Sequence, residues 1–140
     1  MTAITVTAAQ VGVVDPTKAV IKDYIAAATI AKGEAIYQNT DSKADLCDGN
    51  GSGTKQFRGI ALNAAAAGAV VSVLEDGEIY GFGVSGLNGD AFVYVSDIAG
   101  ALADTAGTVT VPAGRVNVLT DTPTLTKVLR VFVRRSADWA

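Results

Sequence analysis

Lys127-Val128-Leu129-Arg130-Val131-Phe132-Val133-Arg134 puts Leu129, Val131 and Val133 on one side of an extended chain and Arg130, Phe132 and Arg134 on the other. Successive side chains of a strand point to opposite faces, so this run predicts a strand with aliphatics inward and arginines outward. Working outward from it, similar short units recur at residues 35–38, 58–62, 70–74, 78–82, 91–96, 108–111 and 115–119. Each is rich in Val, Ile, Tyr or Phe and bounded by glycines. Strands at such regular spacing predict an all-β fold, a small barrel or sandwich.

The units also repeat. Gly33-Glu34-Ala35-Ile36-Tyr37 is echoed by Gly89-Asp90-Ala91-Phe92-Val93-Tyr94, strands led by Gly59 and Gly114 follow, and Val71-Ser72-Val73-Leu74 is answered by Val128-Leu129-Arg130-Val131. The offset stays near about 56 residues, and one such half is too small to bury its own apolar face, so an internal pseudo-duplication about a twofold axis is expected. Ahead of the repeat, Thr2, Thr5 and Thr7 interleave with Ile4 and Val6, a short strand or arm ending near Ala8. The expected organisation is therefore an N-terminal arm over residues 1–16 and one β-rich domain over 17–140. Asp15 and Pro16 suit the start of a helix with Val20, Ile21 and Tyr24 on one face. An extended course over 18–24 is preferred, because everything downstream is strand-like.

At 140 residues with 49% hydrophobic side chains, the chain can build a core without disulfides or a structural metal. It has no His and one Cys, Cys47, which excludes His-based acid–base catalysis, a conventional zinc site and an internal disulfide. A net charge of -3 has the wrong sign for wrapping nucleic acid. The charge is segregated: residues 59–114 carry six acids and no base, whereas 115–135 carry five bases and one acid. Those two segments either meet within one fold or join neighbouring copies. Residues 1–14 lack the basic start and apolar core of a secretory signal, so a product made in the cytoplasm is expected, and the weakly polar stretch 60–74 is too short to span a bilayer.

The candidate sites are weak. Gly81-Phe82-Gly83-Val84-Ser85-Gly86 matches a dinucleotide-binding pattern, but a turn follows it where a helix should open, so these glycines are expected in an irregular connection. Asp48-Gly49-Asn50-Gly51-Ser52-Gly53 begins like a calcium loop and has Gly59 where the bidentate Glu belongs, which favours a solvated loop holding Asp45, Asp48 and Cys47. Glu75, Asp76 and Glu78 are expected at a hairpin tip. Trp139 either folds back on its own barrel or anchors in a neighbour, and Arg130, Arg134 and Arg135 suit an acidic partner surface. No cofactor is implied.

The series 59–68 and 89–97, with Gly100-Ala101-Leu102-Ala103-Asp104, Ala113-Gly114-Arg115-Val116 and Lys127-Val128-Leu129-Arg130-Val131, resembles the capsid decoration, or cement, proteins of tailed phages. The likeness runs from about Ala31 to Val133. It rests on order and spacing, since its motifs consist of common small residues. It implies a small β-barrel or β-tulip-like domain, no catalytic residues, and binding to the outside of an expanded shell through contacts with the major capsid protein. Self-association is expected, a trimer first and a dimer next, because it gathers several weak contacts. Thr2, Ile4 and Val6 are then expected as an arm that adds to another sheet, with Arg130, Arg134 and Trp139 at an interface. The alternative is a non-catalytic carbohydrate- or receptor-binding module of a tail or fibre, for which the aromatic content of 6% is thin.

Overall fold

The computed structural model describes residues 3–50, 56–120 and 125–133. These form an all-β domain of ten strands with no α-helix. In chain order the strands are β1 (Gly12–Val13), β2 (Val20–Ile25), β3 (Ala35–Gln38), β4 (Ala44–Leu46), β5 (Phe57–Ala61), β6 (Val70–Tyr80), β7 (Phe92–Val95), β8 (Leu102–Ala103), β9 (Pro112–Thr120) and β10 (Leu125–Phe132). All pair antiparallel in one curled, barrel-like sheet with the order β4-β3-β5-β6-β10-β9-β7-β8, and β1 and β2 also pair with β6.

That order reads the same from both ends: β3, β4, β5 and β6 of the first half are answered by β7, β8, β9 and β10 of the second. The registers agree in detail. Ile36 lies opposite Gly59 and Val93 opposite Gly114, and in each pair of strands the register shifts at the next residue. The amides of Gly33 and Asp90, both at positive φ, donate to the carbonyls of Ala61 and Val116, while Ala61 and Val116 donate back to Glu34 and Ala91. The second half of β6 pairs with β10 as β2 pairs with the first half of β6, so β6 closes one unit and opens the next.

Two backbone circuits result. In the first unit β2-β6-β5-β3-β4 returns on itself where Ala26, just past β2, bridges Ala44 of β4. In the second, β6-β10-β9-β7-β8 is completed by the N-terminal segment, whose Ala3 bridges Ala103 and whose Val6 bridges Phe82. Ile4 donates its amide to the Leu102 carbonyl at 2.9 Å and is buried at 7% exposure. The expectation that Ile4 and Val6 form an arm for another sheet is corrected here. β8 is two residues long, its open edge lies within reach, and the segment pairs with its own sheet.

Three other expectations change. Residues 70–74 and 78–82 are not two strands around a hairpin tip, since Val70–Tyr80 is one strand of 11 residues. The acids that suggested a solvated turn find partners on neighbouring strands: Glu75, buried, accepts the Tyr24 hydroxyl at 2.7 Å, and Asp76, on the outer face, takes Arg130. Residues 108–111 make no strand, because Asp97 holds both the amide and the hydroxyl of Thr108 in a turn. Asp15 and Pro16 do start a helix, as a single 3-10 turn over Pro16–Lys18 in which the Asp15 carboxylate accepts the Thr17 amide. The chain then extends, as preferred, because β2 finds its partner on β6.

The core falls into two clusters. Tyr24, Ile36, Ala61 and Val73 fill the first unit. The matching positions of the second unit, Val93, Val116 and Leu129, lie in the larger cluster, together with Ala35, Ile60 and Leu74 from the opposite face of the first unit. The first unit is thus buried on both faces and the second on one.

Candidate interaction surface

The surface of interest follows from that asymmetry. In the first unit Ala35, Ile60 and Leu74 stand directly across from one another on β3, β5 and β6, and all three are fully buried. The equivalent row of the second unit is Phe92, Arg115 and Arg130, extended by Glu78 on β6. This row faces solvent. An aromatic ring and two guanidinium groups thus stand where the twin unit carries aliphatic core.

Two arginines directly opposite on neighbouring strands repel, so each needs its own counter-charge. Arg115 pairs with Asp90 and Arg130 with Asp76, both at 2.9 Å. The Arg115 guanidinium also lies 4.0 Å from the centre of the Phe92 ring, a stacking contact that orders both side chains. Tyr94 continues the aromatic cluster, its ring centre 6.0 Å from that of Phe92, and Asn117 donates to Glu78 at 3.4 Å. The segregated charges of the sequence therefore meet within one chain at these two ion pairs.

Of the residues expected at an interface, Arg130 sits in the centre of this row, Ile4 is core, and Val6 is 40% exposed beside Phe82. Thr2, Arg134 and Trp139 lie outside the described residues. Sequence reasoning missed Phe92 and Arg115, since their adjacency depends on the pairing of β7 with β9. It also missed the exposed aliphatics around β2: Val20, Ile21 and Ile25, with Val70 beside them on β6. The apolar positions Ile21 and Ile25, two residues either side of Asp23, were a legible signal for this once the segment is read as a strand.

The other candidates resolve as structure. Cys47 does not lie in a solvated loop. It is fully buried, with its amide on the Ala35 carbonyl and its own carbonyl accepting from Gly100. Asp48 accepts the Asn50 amide in a local turn, residues 51–55 lie outside the described part, and among the described residues no group of three or more Cys, Asp or Glu is placed to hold a metal ion. Gly81 and Gly83 flank a buried Phe82 in a strand-to-turn connection, as expected. Beside them runs a groove of about 530 Å³ lined by Thr5, Thr7, Gln10, Tyr80 and Lys127, the lysine being held by the Leu87 and Ser85 carbonyls. Among the described residues no carboxylate lines it. Among the described residues no helix is long and apolar enough to cross a membrane.

Comparison of the chain with protein-family models, with characterised proteins and with solved structures returned no match.

Proposed function

We propose that the chain is a structural virion protein that sits on the outer surface of an expanded phage shell and ties neighbouring major capsid subunits together. The observation that carries this reading is the Phe92–Arg115–Arg130–Glu78 row, an exposed sheet face at the position where the twin unit buries its own row in the larger core cluster of the chain. Its arginines are held in place by Asp90 and Asp76 before any partner arrives, which lowers the ordering cost of an interface. Aromatic and arginine side chains are the residues that concentrate binding energy between proteins. The sequence resemblance to capsid decoration proteins points the same way.

The alternative, a carbohydrate- or receptor-binding module, has the groove beside Tyr80 in its favour. Against it, the face of Phe92 that would stack on a sugar is covered by Arg115. Co-sedimentation with expanded and unexpanded shells of the phage that encodes the protein decides between them. Saturable binding to expanded shells, lost in Arg115→Glu and Phe92→Ala, is expected. Absence of binding to either shell, with retention of a glycan on an array, overturns the capsid role.

A further inference from the structure

Among the described residues β2 presents an open strand edge over most of its length. β4, at one end of the sheet, is covered by Ala26 and Ala27, the latter donating to the Ala44 carbonyl, and β8, at the other end, is covered by Ala3 and Ile4. β2 pairs with β6 over six residues without glycine or proline, and among the described residues its outer edge is joined only at its end, where Ala26 bridges Ala44. Its sequence is Val20-Ile21-Lys22-Asp23-Tyr24-Ile25, and Val20, Ile21 and Ile25 are 46%, 45% and 42% exposed, with Val70 at 53% alongside Ile25. An edge of this length with exposed aliphatics is a template for another strand.

The occupant is indicated by the strand itself. Two copies of a strand paired antiparallel about a twofold axis normal to the sheet must oppose residues of the same face. Centred on Asp23, that register sets Ile21 against Ile25 of the other copy, twice, on the face that also carries Val70. On the opposite face it sets Lys22 opposite position 24 of the other copy, also twice, with Lys22 held 5.1 Å from the centre of the Tyr24 ring within its own chain. Centring on Lys22 instead opposes Ile21 to Asp23 and leaves the aliphatics unmatched. Asp23, hydrogen-bonded at 2.7 Å to the Ser72 hydroxyl, is the single unfavourable element, facing its own copy at the axis.

We infer that β2 is a dimer seam, pairing antiparallel with β2 of a second copy about Asp23 to join the two sheets edge to edge. This sharpens the self-association expected from the sequence and puts a twofold dimer in place of the trimer expected there. It is tested without shells, so its failure leaves the capsid role standing.

The experiment is sedimentation equilibrium of the full chain over a wide concentration range, with Ile21→Lys, Ile25→Lys and Asp23→Asn variants, alongside oxidation of Asp23→Cys and Lys22→Cys variants. A monomer–dimer equilibrium is expected, weakened about tenfold or more by either lysine and tightened by up to about fivefold by Asp23→Asn. Residues opposed at such an axis have Cα atoms about 4.5–5.5 Å apart, within disulfide reach, so Asp23→Cys is expected to give a linked dimer and Lys22→Cys not. Cys47 is fully buried and does not compete. A chain that stays monomeric throughout, a trimer indifferent to the lysine variants, or linkage at position 22 in place of 23 overturns the proposal.

Discussion

Gly59 and Gly114 hold the same place in successive units. A β-carbon on Gly59 would run into the carbonyl oxygen of Leu74, and one on Gly114 into that of Arg130. Both are the points at which β5 and β9 press closest to the next strand, and Gly59 also has a φ of 146°. Alanine at either site must push two paired strands apart. A loss of about 2–3 kcal/mol is expected for Gly59→Ala and for Gly114→Ala in urea denaturation, against well under about 1 kcal/mol for the control Ala67→Ser on an exposed loop.

Ile4 and Val6 separate a docked strand from a free arm. Ile4→Ala is expected to cost about 2–3 kcal/mol, since a buried side chain leaves a cavity in the larger core cluster. Val6→Ala is expected to cost under about 1 kcal/mol, its side chain being 40% exposed. Thermal melts of the two variants check this, and equal small effects would return the segment to the free-arm picture.

Tyr24 and Glu75 meet on the inner side of the first unit. Tyr24→Phe removes the hydroxyl that donates to the buried carboxylate, and a loss of about 1–3 kcal/mol is expected. Glu75→Gln keeps an acceptor for the same hydroxyl and is expected to be milder. Urea midpoints of the two variants give the comparison.

Arg130 and Asp76 form a half-exposed pair on the outer face. Arg130→Ala is expected to change stability by less than about 1 kcal/mol, and less still in high salt. A clear loss of shell occupancy in the same variant would therefore report binding and not folding.

Asp15 titrates below the ordinary aspartate value, chiefly because the Thr17 hydroxyl and then the Thr17 amide donate to its carboxylate. A carboxylate whose folded pKa is depressed stabilises the fold above its unfolded pKa, and that contribution is lost as pH falls through the folded one. An NMR titration is expected to show the Asp15 carboxyl moving back toward the ordinary value in Thr17→Val, while Asp15→Asn removes the contribution of this group to the acid-side dependence.

How far the sequence discloses this molecule differs by element. The alternation of 127–134 marks β10 and its buried side, with Leu129 and Val131 inward and Arg130 outward, because a strand's pattern is local. β3 and β5 are found to within a residue for the same reason. β6 is not, since three acids in four residues look like a turn until Tyr24 and Arg130 arrive from strands about 50 residues away in the chain. The repeat is legible as an echo of residues. That the same row is buried in one unit and exposed in the other is not, because it depends on which face the second unit packs against. Arg130 can be assigned to an outer face from sequence, whereas its alignment with Arg115 and Phe92 exists only through registers fixed by β9.

The bond from the Ile4 amide to the Leu102 carbonyl also sets an order of events during synthesis. The segment around Ile4 leaves the ribosome early, yet the edge it completes is made from residues translated about a hundred positions later, roughly 5–20 s at ordinary elongation rates. Until then Ile4 has no core to enter, while the first unit can already close its backbone circuit through its own Ala26 and Ala44, with only its Ala35, Ile60 and Leu74 face waiting for the second unit. The nascent chain is therefore expected to mature from its middle outward, with its first residues the last to find their place.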